Sequence, residues 1–201
     1  GISKNNLDFF KKEILKIPKK FTWEIKKIEI YSEKLKKDKI LNFENSNKIL
    51  FYMVKNDELY KLLNNELLKS KFFKKNIIRQ ENFYDKLLNK NNYDLIINCD
   101  QNNQITKRFF SKKIDKDYKN LAYTTILTHK KLENNSAIQV FTRLGPIAFL
   151  PISNTKTSVV CSLDIYNKNY EDYEIIELIN KHNPKFKIKK ILKLSNFKLK
   201  S

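Results

Sequence analysis

Residues 120–163 read NLAYTTILTHKKLENNSAIQVFTRLGPIAFLPISNTKTSVVCSL, and this stretch decides the fold that the sequence predicts. Its apolar residues fall into four runs separated by polar breaks: Leu121–Leu127, Ala137–Thr142, Ile147–Ile152 and Thr157–Leu163. Short runs rich in β-branched and aromatic residues are typical of strands. Because Gly145-Pro146 and Ser153-Asn154 supply turn residues, the pattern predicts an antiparallel meander.

The segment that follows the meander predicts a helix from Tyr170 to Lys181. Glu171, Asp172 and Glu174 suit the positive N-terminal end of a helix, and Asn183-Pro184 would end it. The tail, residues 186–200, alternates apolar residues with lysines. It is either one more strand or a frayed end.

The first half of the chain predicts a mixture of helices and strands. Apolar spacing indicates a helix from Asn5 to Ile17, ended by Pro18, and alternation indicates a strand over residues 25–32. A second apolar run, Ile49–Val54, precedes a Leu-rich helix that starts at Asn56. Residues 76–92 show no clear pattern.

A polar cluster follows a short apolar run at residues 94–104. Asp94-Leu-Ile-Ile-Asn98-Cys99-Asp100 leads into Gln101-Asn-Asn-Gln104. A buried parallel strand that ends in a functional loop has this pattern.

The charge and the arginine content bear on whether this protein binds nucleic acid. The formal charge is +19, from 41 Lys and Arg against 22 Asp and Glu, but the arginines are only Arg79, Arg108 and Arg143. Arginine is the preferred residue for bidentate phosphate and guanine contacts, and the aromatic residues lie mostly in apolar runs typical of a core. We therefore predict no nucleic-acid partner.

Glycine and cysteine usage excludes several kinds of site. With only Gly1 and Gly145, the chain has no Walker loop and no complete dinucleotide fingerprint. Cys99 and Cys161 cannot make a disulfide framework or a four-cysteine metal site, so we predict no metal and two reduced, buried thiols. No run reaches the roughly 18 apolar residues of a spanning helix, and the N-terminus lacks a signal-peptide core. We expect a cytoplasmic protein, and a piece of a longer one.

Two motifs resemble one family. Gln139-Val-Phe-Thr-Arg-Leu-Gly145-Pro-Ile-Ala-Phe-Leu-Pro151-Ile resembles the substrate-domain hairpin of the ubiquinone-biosynthesis hydroxylases, FAD-dependent aromatic monooxygenases of the 2-polyprenylphenol hydroxylase type. Tyr93-Asp-Leu-Ile-Ile-Asn-Cys-Asp100-Gln-Asn-Asn-Gln104-Ile-Thr-Lys107 resembles the strand and loop of their Asp-Gly motif. Of that motif only Asp100 is unchanged, since Gln101 replaces the glycine and Lys107 the arginine.

The resemblance implies a fold, a cofactor and a reaction. The fold class is α/β (α+β), para-hydroxybenzoate-hydroxylase-like, with residues 1–117 as part of the FAD-binding domain and 118–201 as the substrate-binding antiparallel sheet with one helix. FAD, reduced by NAD(P)H or another electron donor, and O₂ would hydroxylate a polyprenylated phenol. The family's two other flavin motifs are missing from this chain, so we expect the chain alone not to hold FAD.

The resemblance also implies site residues. Asp100, Gln101, Asn56 and Lys107 would lie at the cofactor, and no catalytic side chain is expected because the flavin carries the chemistry. For Asp100 and Asn56 the alternative is an ordinary cap or turn residue, and for Lys107 a solvated helix face. Ile147, Phe149 and Pro151 share one strand face and would form the pocket wall at the substrate ring. The alternative is that Gly145-Pro146 only forms the corner of a hairpin.

Two other kinds of function stay open at this point. One is a non-catalytic, degenerate relative that assembles with other ubiquinone-biosynthesis enzymes, favoured by Gln101. The other is a basic RNA-associated protein, which requires exposed aromatic residues beside arginine. For the hydroxylase, a lipid substrate would also imply peripheral contact with the inner membrane surface.

Overall fold

The computed structural model describes residues 1–33, 39–44, 48–77, 84–85, 88, 93–100, 103–110, 117–164 and 170–200. Two compact units are present: residues 1–67 with 117–200 form the first, and residues 68–116 form the second. The domain boundary at residue 117 within a longer protein stays a prediction.

The first unit contains two sheets. The small one pairs β1 (Thr22–Ile25) with β4 (Phe51–Val54) in antiparallel fashion. The large one has eight strands, namely β2 (Lys27–Ser32), β3 (Lys39–Glu44), β5 (Asp117–His129), β6 (Ser136–Thr142), β7 (Gly145–Ser153), β8 (Lys156–Asp164), β9 (Ile188–Ile191) and β10 (Ser195–Lys200).

The strand order of the large sheet is β10-β5-β8-β7-β6-β2-β3, with β9 also paired to β5. Strands β6, β7 and β8 form the predicted antiparallel meander, but β5 is not its first strand. Strand β5 pairs with β8 instead, with Tyr123 opposite Cys161. The edge of β6 that β5 would have used is occupied by β2, which pairs with β6 in parallel, with Ile28 opposite Ala137. The prediction of four strands in sequential order is therefore wrong for β5, and the sheet is mixed.

The tail is two strands rather than a frayed end. Both β9 and β10 pair antiparallel with β5, which is long enough, at 13 residues, to hold them along one edge. The tail thereby completes the edge of the sheet beyond β5.

Four α-helices lie wholly within the described residues: α1 (Lys4–Phe9), α2 (Asn56–Leu68), α3 (Gln104–Phe109) and α4 (Asp172–Lys181). The Ser3 hydroxyl accepts the Asn6 N–H at 3.1 Å and starts α1, and a π-helical turn, Phe10–Ile14, extends it. Because Leu15 is already extended, the predicted end at Ile17 is wrong. Within the described residues, no helix has the length and hydropathy needed to cross a membrane.

Helix α4 agrees with its prediction and covers the core. Glu171 and Glu174 form a capping box in which the Glu171 N–H donates to Glu174 Oε2 at 3.0 Å. Ile175 and Ile179, both fully buried, pack on one face of the large sheet. Each such side chain contributes about 1.5–3 kcal/mol to the stability of the unit.

The turn between β6 and β7 is made by Arg143 and Leu144, not by Gly145-Pro146 as predicted. Gly145 begins β7 with φ +133°, a region that L-residues other than glycine rarely adopt. A Cβ at this position would collide with the Ser162 carbonyl oxygen of the adjacent strand. The glycine therefore allows β7 and β8 to approach at this end of the sheet.

We expect Gly145→Ala to lower the unfolding free energy by about 3 kcal/mol, because both the φ angle and the close approach exclude a side chain. For a chain of this length, thermal unfolding should shift down by roughly 6–12 °C. Lys156→Ala, at the exposed start of β8, is the matched control. Equal melting curves for the two variants would contradict this role of Gly145.

Candidate functional site

Hydrogen bonds order the loop that carries Asp100 in the second unit. Asn98 Nδ2 donates to Thr106 Oγ1 at 2.7 Å, and Asn103 Nδ2 donates to Asn98 Oδ1 at 2.7 Å. The Thr106 hydroxyl in turn donates to the Asp100 carbonyl oxygen at 2.6 Å. Asn103 caps α3, since its Oδ1 accepts the Thr106 N–H at 2.9 Å. The cap is therefore Asn103, and Asp100 forms part of the loop through its backbone.

The predicted buried strand before this loop is wrong. Residues 93–100 adopt no strand, and Leu95, Ile96 and Ile97 are 74%, 43% and 77% exposed. The physical reason is the lack of a partner: the structure describes no strand within the second unit that could hydrogen-bond to this run. The run has the apolar composition of a buried strand, but a strand forms only where a neighbouring strand hydrogen-bonds to its backbone.

The predicted cofactor residues belong to both units. Asp100 is exposed at the loop, and Lys107 is exposed on α3, where it lines a cavity of about 280 Å³ with Arg108. Asn56 is the exposed first residue of α2, in the first unit. Gln101 lies outside the described residues. Asp100 and Lys107 thus belong to one loop–helix segment, and their contact with a flavin stays a prediction.

The predicted pocket-wall residues lie on the face that α4 covers, which we call the covered face. Ile147 and Phe149 are fully buried, and the Phe149 ring stacks on Phe186 with centroids 5.8 Å apart. Pro151 is buried on the same face. The expectation that the three share one face is confirmed, and in this unit they pack in its core. Their role at a substrate stays a prediction.

The opposite side of the sheet carries many apolar residues and is partly accessible. Strand register places Ala148 and Leu150 of β7 on this side with residues of the neighbouring strands. We call it the open face, and its apolar members are Ile28, Ile30, Leu41, Phe43, Ala122, Ile126, Ala137, Phe141, Ala148, Leu150, Val160 and Phe197. The same register places polar residues among them, namely Ser32, Thr124, Gln139, Ser158 and Ser162. None of its residues larger than alanine is buried, and Leu41, Phe43 and Phe197 are about half exposed, at 49%, 49% and 51%.

The predicted pocket wall is one set of alternating residues of β7, Ile147, Phe149 and Pro151, and the other set has no predicted role. Alternation in β7 gives two equally apolar sets, and only the position of α4 separates them. The set that stays accessible includes Ala148 and Leu150. The grouping of accessible apolar side chains makes this face a candidate binding surface.

A charged cluster lies at one end of the covered face, where β2, β6 and α4 all end. Glu33 Oε2 accepts the Arg143 N–H at 3.0 Å, and Glu33 Oε1 accepts from Lys181 Nζ at 3.2 Å. The Arg143 hydrogen bond first, and then Lys181 and His182, hold the pKa of Glu33 below its usual value. A cavity of about 430 Å³ lies here, lined by Tyr31, Val140 and His182 among others. The contacts fix the end of α4 against the turn after β6.

Both ring nitrogens of the buried His129 lie within hydrogen-bond distance of neighbouring oxygen atoms. His129 is 2% exposed, and its Nδ1 lies 2.9 Å from the Lys130 carbonyl oxygen, which can only accept. That nitrogen therefore donates, and Nε2 accepts from the Thr157 hydroxyl at 3.0 Å. Among the described residues, no group of three metal-ligating side chains is brought together.

Two expectations about side-chain burial need correction. Cys161 is buried, but Cys99 is exposed, because the run that contains it forms no buried strand. Several aromatic residues expected in the core are more than half exposed, namely Phe9, Tyr60, Phe72, Tyr93, Phe109, Phe110, Tyr173 and Phe197. Their apolar runs predicted burial, but several of these residues lie in the second unit, where the described residues show few packed elements.

Comparison with known proteins shows the fold. No protein-family model and no curated protein matches the sequence. A solved structure, described as a geranylgeranyl bacteriochlorophyll reductase-like protein from Thermoplasma acidophilum, matches with a TM-score of 0.59 and 15% identity over 98% of this chain. The chain spans 55% of that protein's length. The predicted mixed α/β fold is confirmed, and at this identity the likeness concerns the fold alone.

We expect Asp100→Ala to weaken flavin or reductant binding about ten- to a hundredfold in the protein expressed from its whole reading frame, the loss expected for a charge-assisted hydrogen bond. Thermal stability should change little, because the Asp100 carbonyl and N–H keep their partners Thr106 and Asn98. Fluorescence titration with FAD and a melting curve give the two readouts.

The matched control for this prediction is Asn98→Ala, which removes the amide that joins Thr106 and Asn103. It should lower the melting temperature through loss of the loop hydrogen bonds. If Asp100→Ala binds flavin and reductant with unchanged affinity, Asp100 is not part of a cofactor site.

We expect one thiol of the folded chain to react with Ellman's reagent, and two after denaturation. Cys99 is exposed, whereas burial removes Cys161 from reagent and raises the pKa of its thiol to about 12. Near pH 8 the buried thiol is therefore both protonated and inaccessible. A Cys99→Ser variant that still reacts with one equivalent in the native state would contradict the burial of Cys161.

Proposed function

We propose that this chain is the central part of an FAD-dependent oxidoreductase that acts on a ring compound with a polyisoprenoid tail. More finely, we propose hydroxylation of a polyprenylated phenol, as the sequence resemblance implies. The observation that supports the proposal most is the match of 98% of the chain to a reductase-like fold whose description names a geranylgeranyl compound. Both lines of reasoning lead to a substrate with an isoprenoid chain.

The open face suits such a tail. It offers Leu150, Ile126 and Val160 in its centre and half-exposed Phe43 and Phe197 toward its two sides. Burial of each methylene of a tail is worth about 0.8 kcal/mol, so a few isoprene units against this surface would supply most of the affinity for a substrate. The neutral polar residues Gln139 and Ser158 lie beside these apolar side chains, and the charged Lys156 and Asp164 stand at the two ends of β8.

The loop in the second unit suits a cofactor hydroxyl. The exposed Asp100 carboxylate is an acceptor for ribose or ribityl hydroxyl groups, and the hydrogen bonds of Asn98 and Asn103 fix the backbone that carries it. Lys107, seven residues on, would neutralise phosphate. When bound, FAD would supply the electron transfer, with NAD(P)H or another donor as reductant and O₂ as the oxidant of the hydroxylation.

A second reaction on the same kind of substrate has its own support. The matching structure is described as reductase-like, which favours reduction of isoprenoid double bonds over oxygen insertion. The two reactions share the flavin, the reductant and the apolar tail site. They differ in the product, because hydroxylation adds one oxygen atom and reduction adds two hydrogens for each double bond.

The experiment uses the protein expressed from its whole reading frame. We expect it to retain FAD, to oxidise NAD(P)H in the presence of a polyprenylated phenol, and to give a product heavier by about 16 Da. A gain of about 2 Da for each double bond would assign the reductase. The 201-residue chain alone is measured in parallel for retained flavin.

Variants test the tail site. Leu150→Asn should raise KM for a long-tailed phenol about tenfold, the value of one buried leucine, and leave KM for the tail-less ring unchanged. Leu192→Asn, an exposed leucine between β9 and β10, is the matched control. Absence of bound or bindable flavin in the protein from the whole reading frame would remove the proposed function and favour a non-catalytic relative that serves in assembly.

A further inference from the structure

A segment of the second unit that is rich in lysine exposes three large apolar side chains to solvent. Residues 68–77 read Leu-Lys-Ser-Lys-Phe-Phe-Lys-Lys-Asn-Ile, with four lysines and no acidic residue. Leu68, Phe72 and Ile77 are 58%, 84% and 74% exposed. We call residues 68–77 the basic turn.

Local hydrogen bonds shape the basic turn. The Phe73 N–H donates to the Ser70 carbonyl oxygen at 3.1 Å, and the Phe72 N–H donates to Ser70 Oγ at 3.3 Å. Lys71 Nζ lies 5.1 Å from the centroid of the Phe72 ring. The turn therefore presents Phe72 to solvent with an ammonium group beside its ring, which is the arrangement of an apolar anchor flanked by cations.

From this geometry we propose that the basic turn binds the surface of an anionic lipid bilayer. Phe72 enters the region between headgroups and acyl chains, and Lys71 and Lys74 face the lipid phosphates. Transfer of a phenylalanine ring from water to this region lowers the free energy of the system. Each lysine near an anionic surface strengthens binding about fivefold. The lysine stems bury apolar surface while their charged ends stay at the phosphates.

The chemistry of the basic turn favours a bilayer over RNA. Aliphatic Leu68 and Ile77 have no π-face on which a base could stack, and their exposure is explained by contact with hydrocarbon. The four cations are all lysines, which act as point charges, whereas arginine suits bidentate phosphate recognition. The proposal does not rest on the flavin-dependent function.

The experiment is co-sedimentation of the 201-residue chain with vesicles at 0.1 M salt. We expect binding to vesicles of phosphatidylcholine with 30% phosphatidylglycerol, and binding at least tenfold weaker to phosphatidylcholine alone. Phe72→Ser should weaken binding to the anionic vesicles roughly tenfold, the value of one buried aromatic side chain. Because Phe72 is 84% exposed, this variant should keep the parent's melting temperature.

Matched variants separate the basic turn from the overall positive charge. The double variant Lys71→Glu/Lys74→Glu should bind the anionic vesicles more than a hundredfold more weakly than the parent. The double variant Lys189→Glu/Lys193→Glu has the same net charge, and its loss of affinity should be several times smaller. Tyr173→Ser removes an aromatic residue that is 63% exposed among Glu171, Asp172 and Glu174 and should leave binding unchanged.

A fluorescence measurement places the anchor. Phe72→Trp should gain emission that shifts to the blue on anionic vesicles and is quenched by brominated lipid. Equal losses in the two lysine pairs, or no loss in Phe72→Ser, would overturn the proposal. So would binding of a poly(U) RNA that is weakened by Lys71→Glu with Lys74→Glu while vesicles are not bound.

Discussion

The packing of α4 and Phe186 on one face of the large sheet is the interaction on which the first unit depends. Ile175 and Ile179 of α4 and the strand residues Ile147 and Phe149 are all fully buried, so this layer holds most of the apolar area that leaves water. The Glu33 contacts to Arg143 and Lys181 fix the end of the helix against the sheet. The side of the sheet that α4 occupies also determines which face is the covered face and which is the open face.

The functional interpretation follows from that asymmetry. A strand presents alternate residues to opposite faces, so Leu150 lies on the side away from the helix that buries Phe149, and it is only partly buried. The buried set stabilises the fold, and its contact with a substrate stays a prediction. The accessible set is the one that we propose as the site of a hydrophobic tail. The second unit adds a different kind of chemistry, because its Asp100 loop is polar and ordered by side-chain amides.

Local patterns in the sequence predicted local structure well. The acidic residues before α4 predicted its start because they complement the helix dipole and supply the capping box. The runs of β6, β7 and β8 predicted strands joined by tight turns because neighbouring strands need only a short connection. The patterns failed where a distant partner decides the outcome. Residues 94–98 have the composition of a strand and lack a pairing partner in the described part of their unit.

Sequence patterns correctly predicted the mixed α/β class and most of the longer elements, namely β2, β4, β5, β6, β7, β8, α2 and α4, since periodicity and capping act over a few positions. They did not predict β1, β3 and α3. Tertiary structure alone decided that β2 joins β6 in parallel, that β5 crosses to β8, and that Cys99 is exposed while Cys161 is buried. It also decided which face of β7 is accessible. The physical reason is that burial and strand pairing depend on residues far apart in the chain, and the two faces of an apolar strand differ only in what packs on them.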